Sequence, residues 1–189
     1  MNRKSSCVLG DLPIQIIYEL SNFLTLLLTP IINIMFEQGR YPELWKKEVI
    51  TPAPKVYPTL NVKQLRPISG LINFAKITDR ILAEYMTSDM STNRDRHQYG
   101  NEKGISVNHY LINLIHKVLT FVDKNSASEK FTAVLMMLDW SQAFERQSHI
   151  LGVQSFIDNG VRASLIPLLC SFFKNRQIVV KWNKEVSTP

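Results

Sequence analysis

A chain of 189 residues is long enough for one domain with a substantial core. Its hydrophobic fraction of 45% and aromatic fraction of 10% exclude a disordered polypeptide. Two widely separated cysteines, Cys7 and Cys170, exclude a disulfide scaffold and make a reducing, intracellular compartment the default. The formal net charge of +6 suits a polyanionic partner.

In chain order, Gly10-Asp11-Leu12-Pro13 reads as a helix start, with Asp11 near the cap and Pro13 in the first turn. A helical pattern follows, with a break near Ser21-Asn22 and with Pro30 either starting a second helix or kinking a long one. Gly39 closes it. Leu20 to Phe36 carries no charge, but Ser21, Asn22, Pro30 and Asn33 interrupt it. Spanning a bilayer takes about 20 predominantly apolar residues, so a buried core helix is the expectation. No signal peptide is expected, because polar residues and Pro13 separate Arg3-Lys4 from the apolar run.

Tyr41 to Ile50 passes from a turn into a short strand, and Thr51-Pro52-Ala53-Pro54-Lys55 continues as an edge strand or extended loop, since proline lacks a donor. After a polar loop comes Arg66-Pro67-Ile68-Ser69. Leu71, Phe74, Thr78, Leu82 and Tyr85 then recur at helical spacing, predicting an amphipathic helix from Leu71 to Met90. Ser91 to Lys103 is polar. Ser106 caps a second helix with Val107, Leu111, Leu114, Val118 and Phe121 on one face. Lys124 to Lys130 is a solvated connection. Further on, helices are predicted at His149 to Asn159, stopped by Gly160, and at Ala163 to Lys174. An alternating strand from Arg176 to Trp182 ends in an Asn183-Lys184 turn. The four histidines lack metal-ligand spacing, and no internal repeat divides the chain.

The segment between the solvated connection and His149 carries the chemistry. Phe131 to Leu138 is an apolar run suited to a buried strand, and it ends abruptly in Asp139. Two roles fit this carboxylate. The local pattern alone favours a strand-end residue that caps the next helix. The other role is ligand to a hard cation such as Mg²⁺, which prefers oxygen donors and keeps several waters. In that case the backbone amides of Gln142 and Ala143 face a phosphate, and Phe144 lies against the attached sugar or base.

Taken together, the segments resemble the reverse transcriptase domain of non-LTR retrotransposons. The markers are Gly39-Arg40-Tyr41-Pro42 with Trp45-Lys46, Pro52-Ala53-Pro54-Lys55, and Leu65-Arg66-Pro67-Ile68-Ser69. Gln98-Tyr99-Gly100 with Lys103-Gly104-Ile105-Ser106, Asp139-Trp140-Ser141-Gln142-Ala143-Phe144, Gly160-Val161 and Arg176-Gln177-Ile178-Val179-Val180 complete the series. Each piece is unspecific by itself; their shared order and spacing carry the resemblance.

The resemblance implies an α/β (α+β) chain of the right-hand polymerase fold, with fingers and connecting helices over about 1–130 and a partial palm over about 131–189. It implies Asp139 as a catalytic aspartate and Mg²⁺ ligand, with the Trp140 carbonyl as a second metal ligand. Lys55 and Arg66 would grip the incoming triphosphate, one as a point charge and the other as a fork. Phe144 would exclude a ribose 2′-hydroxyl, and Gln142 and Ala143 would complete the nucleotide site. The implied partners are an RNA template, a DNA primer and deoxynucleoside triphosphates, with no membrane.

Two departures bear on activity. Glu145 stands where the family usually has Asp or Asn, a departure expected to be tolerable. More seriously, the chain contains no adjacent aspartates, so the family's Asp-Asp metal pair is not encoded before Pro189. The expectation is a fragment of a polymerase that is inactive alone. Two rival readings are a non-catalytic nucleic-acid-binding remnant and a membrane-associated helical protein built on Leu20 to Phe36.

Overall fold

A computed structural model describes residues 8, 11–90, 95, 97–102, 104–125, 134–140, 143, 146–183 and 185–188. The chain divides into two units: Met1–Ser91 with Ser148–Pro189, and Thr92–Gln147. It is mixed α and β, with six helices and one four-stranded sheet among the described residues.

The first unit opens with α1 (Ile14–Glu19) and α2 (Ser21–Gln38). The break between them falls at Leu20, one residue before the predicted position, and Pro30 lies inside α2 without ending it. Gly39 closes α2 at φ 61°, its N–H donating to the Met35 carbonyl. A Cβ there would stand 2.6 Å from Pro167 Cβ, so both the backbone angle and the close approach require glycine. Asp11 does not cap α1. Its Oδ2 instead accepts the backbone N–H of Asn73, 2.8 Å away, at the start of α3 (Asn73–Asp89). A carboxylate placed there meets an orphan donor and the positive end of the helix dipole.

The sheet has the order β2-β1-β3-β4, formed by β1 (Lys47–Pro54), β2 (Leu65–Gly70), β3 (Gln177–Trp182) and β4 (Glu185–Val186). β1 pairs antiparallel with β2 from Val49↔Gly70 to Pro54↔Leu65, and parallel with β3 only from Lys47↔Gln177 to Ile50↔Val180. The strand is thus central over its first half and an edge over Thr51–Pro54, where the prolines fall. Sequence reasoning assigned no strand to Arg66-Pro67-Ile68-Ser69. It lies in β2, an outer strand, where a missing donor at Pro67 can face away from the ladder.

The rest of the unit follows the predicted spans: α5 (His149–Asp158), α6 (Ile166–Phe173) after a short helical turn, and the two-residue β3–β4 connection with Asn183 at φ 55°. The core gathers Met35 of α2, Ala75 and Leu82 of α3, Leu168 and Leu169 of α6, and the linking residues Tyr41, Trp45, Val161 and Leu165. Each large apolar side chain buried here contributes about 1.5–3 kcal/mol. The expectation for Leu20 to Phe36 holds on one face. Leu28, Ile32, Met35 and Phe36 pack on the core, while Phe23, Leu26, Leu27, Ile31 and Ile34 face solvent. No helix among the described residues is long and apolar enough to cross a membrane.

The second unit contains α4 (Val107–Asn125), matching the predicted helix. Tyr99 packs edge-on against Tyr110 at 5.5 Å, and its hydroxyl accepts from Asn113 Nδ2. The apolar face predicted for this helix is largely open to solvent at Val107, Leu111, Val118 and Phe121.

Candidate functional site

The hairpin of β1 and β2 brings two predicted residues together. Arg66 stands opposite Ala53, and Lys55 follows two positions later, so the two cations leave adjacent strands on one face. Pairing extends past the strand end, because the Lys55 N–H donates to the Gln64 carbonyl at 2.7 Å. Lys55 Nζ also reaches the Lys63 carbonyl at 3.4 Å, and both cations are exposed. Two exposed cations with no ion pair among the described residues suit an anionic ligand of more than one phosphate.

Asp139, Trp140 and Ala143 lie in the second unit and are exposed. Gln142 and Phe144 lie outside the described residues, as do Phe131 to Ala133 of the predicted strand. The remainder of that predicted strand, Val134 to Leu138, is not a strand here, and its side chains face solvent. An apolar strand is stable only where a partner takes its backbone groups and a layer covers its side chains. Among the described residues no strand pairs with it.

The described residues do not make a two-ion site. Among the described residues no group of three or more His, Cys, Asp or Glu side chains converges. Asp139 supplies a single carboxylate, whereas a hard divalent ion needs several oxygen donors. No chemical step through Mg²⁺ follows from this geometry.

A third cluster, which sequence reasoning missed, joins several of the marker segments inside the first unit. Tyr41 donates its hydroxyl proton to Asp79 Oδ1 at 2.5 Å, and its ring meets Trp45 and Phe172 edge-on at 6.2 and 5.1 Å. Burial pushes the Asp79 carboxyl above its ordinary range, partly offset by the Tyr41 hydrogen bond and the Arg176 charge. Burial and the Asp79 carboxylate both push the Tyr41 phenol up. Arg176 lies 4.4 Å over the Phe172 ring, with Nη2 3.7 Å from Glu48 Oε2. Its Nη1 is buried without a hydrogen-bond partner among the described residues. Beside this cluster, Lys46 is buried with its ammonium 2.6 Å from Glu43 Oε1. Gly39-Arg40-Tyr41-Pro42, Trp45-Lys46 and Arg176 are therefore joints: they fix where β1, and hence Lys55, leaves the core. The sequence signal was the pairing of aromatics with charges in both segments, Tyr41 and Trp45 with Lys46, and Phe172 with Arg176.

Sequence similarity shows a reverse transcriptase-like chain over nearly the whole length. The chain is 27% identical over 169 residues, 88% of its length, to the "Probable RNA-directed DNA polymerase from transposon X-element" of Drosophila melanogaster. It is likewise 27% identical over 188 residues, 97% of its length, to the "Probable RNA-directed DNA polymerase from transposon BS" of the same organism. The chain spans 18% and 19% of the lengths of these two relatives. No protein-family model matches it.

Proposed function

We propose that this chain is the fingers, over about 1–130, and the first part of the palm, over about 131–189, of a right-hand RNA-directed DNA polymerase of a non-LTR retroelement. The parent reaction is template-directed addition of deoxynucleotides to a primer 3′-hydroxyl, on an RNA template, with release of pyrophosphate. In this reading Lys55 and Arg66 hold the triphosphate. Asp139 and the Trp140 carbonyl are this chain's share of the Mg²⁺ site, the Gln142 and Ala143 amides meet a phosphate, and Phe144 rejects a ribose 2′-hydroxyl. The observation that supports the reading is the β1–β2 register, with exposed Arg66 opposite Ala53 and exposed Lys55 two positions further on.

One carboxylate supplies too few oxygen donors to hold two divalent ions, so the isolated chain is inactive as a polymerase. Primer extension with Mg²⁺ and all four deoxynucleotides should yield no product, and robust template-dependent synthesis would show the metal site to be complete. Binding of a fluorescent deoxynucleoside triphosphate tests the finger site itself. It should weaken at least tenfold in Lys55→Ala and Arg66→Ala; equal binding by both variants and the parent chain refutes the assignment.

The net charge and the exposed Lys55, Lys63 and Arg66 favour a second reading, a non-catalytic nucleic-acid-binding remnant. Under that reading RNA affinity falls steeply with salt and survives Asp139→Asn, and absence of binding at low salt ends it.

A further inference from the structure

A cavity of about 440 Å³ opens on the first unit between α2, α3 and the short helical turn before α6. Its floor is apolar, made by the half-buried Ile32, Phe36 and Ile81 with the buried Leu165. One rim is a polar row on α2, Thr29, Asn33 and Glu37, each about one helical turn from the next. The opposite rim is held in place. Tyr85 meets Phe36 edge-on at 5.5 Å, and the Arg162 guanidinium lies 5.4 Å over the Tyr85 ring. Arg162 is in turn fixed by Asp89, whose carboxylate accepts its backbone N–H at 3.0 Å and its Nε–H at 2.8 Å.

Volume and lining are those of a small-molecule site: such sites run from about 300 to 1,000 Å³ and set a few placed polar groups around an apolar surface. The charges decide which ligand fits. Arg162 is neutralised by Asp89, whereas Glu37 is exposed and forms no ion pair among the described residues. Of the two charged side chains that line the cavity, Glu37 is thus the uncompensated one. An anion would face that carboxylate and find the guanidinium already taken. A purely apolar guest would cover the floor but displace water from Glu37 without replacing its hydrogen bonds. A cation on an apolar body meets both demands.

We propose that this cavity binds a small organic cation with an apolar body, an arylalkylamine or arylamidine, with its ring on Ile32, Phe36 and Ile81 and its charged end at Glu37. The site uses none of the residues assigned to nucleotide or metal under the polymerase reading and stands independently of it.

Nuclear magnetic resonance of the full chain, labelled at its isoleucine methyl groups, tests it with three probes of one shape. At neutral pH benzamidine is a cation, benzamide is neutral and benzoate is an anion. Benzamidine should shift the Ile32 and Ile81 methyl signals saturably, with the millimolar dissociation constant usual for so small a ligand, and leave Ile178 on β3 unmoved. Benzamide should bind about two- to fivefold more weakly, the range of one partly solvated charge pair, and benzoate more weakly still. Glu37→Gln should bring benzamidine down to the benzamide level and leave benzamide unchanged. Glu37 is exposed, so the variant folds as the parent chain does, and circular dichroism verifies this. Absence of a saturable shift at Ile32 and Ile81 overturns the proposal. So does benzoate binding as tightly as benzamidine, and so does a preference for the cation that survives Glu37→Gln. Because the assay contains neither nucleotide nor nucleic acid, its failure leaves the polymerase reading standing, and primer extension addresses that reading separately.

Discussion

Replacing Tyr41 by Phe removes one hydroxyl and leaves a ring of nearly the same shape wedged between Trp45 and Phe172. The loss is then the hydrogen bond to Asp79, 2.5 Å in length and partly buried. A hydrogen bond to a charged group contributes about 1.5–3 kcal/mol, against about 0.5–1.5 kcal/mol for a neutral pair. For a chain of this size each kcal/mol moves the midpoint by about 2–4 °C, so the variant should melt about 3–12 °C lower at neutral pH. The pH dependence is the sharper test. Burial holds the Asp79 pKa above its ordinary value, so stability declines as pH rises through that raised value. The Tyr41 bond favours the ionised carboxylate; removing it raises the pKa further and steepens the decline. The penalty should therefore be largest near pH 8 and shrink toward the neutral-pair range near pH 4. Urea unfolding followed by tryptophan emission measures it, because Trp45 is buried while Trp140 and Trp182 are exposed. In an Asp79→Asn background the same change should cost only the neutral-pair amount. A penalty independent of pH, or one below about 0.5 kcal/mol, refutes the reasoning.

Gly39→Ala combines a left-handed backbone with a Cβ 2.6 Å from Pro167 Cβ, and should cost about 2–4 kcal/mol in urea unfolding. A loss below about 1 kcal/mol would mean that α6 yields at this contact. The Asp89 pKa is lowered to about 2 by hydrogen bonds from the Arg162 side chain and backbone. A depressed carboxylate stabilises the fold above its unfolded value near 4 and loses that contribution as pH falls through the folded one. Asp89→Asn should thus destabilise at pH 7 and converge with the parent chain near pH 2, and acid titrations that stay parallel would contradict the pairing.

How much was legible beforehand varied with the range of the forces involved. The 3.6-residue periodicity of Leu71 to Met90 and the glycine stops at Gly39 and Gly160 are local signals, and the helices follow them. Strand membership is not local. β2 went unassigned because proline reads as a breaker until an outer position makes its missing donor harmless. Phe131 to Leu138 was read as a strand from composition, which cannot tell whether a partner strand exists. Asp11 has the look of a cap for its own helix, and only the fold turns it toward Asn73, 62 positions away. For the site, Lys55 and Arg66 were named from the resemblance alone; that Arg66 stands opposite Ala53, two positions before Lys55, depends on the pairing of β2 and was not legible.

The parallel pairing of Lys47–Ile50 with Gln177–Val180 has a consequence for biogenesis. A ribosome releases the first partner long before the second exists, so that flank of β1 stays unpaired until some 130 further residues have been translated, estimated from the register. Nascent chains arrested in this interval expose naked amides and carbonyls, an invitation to aggregation that closes only when β3 arrives.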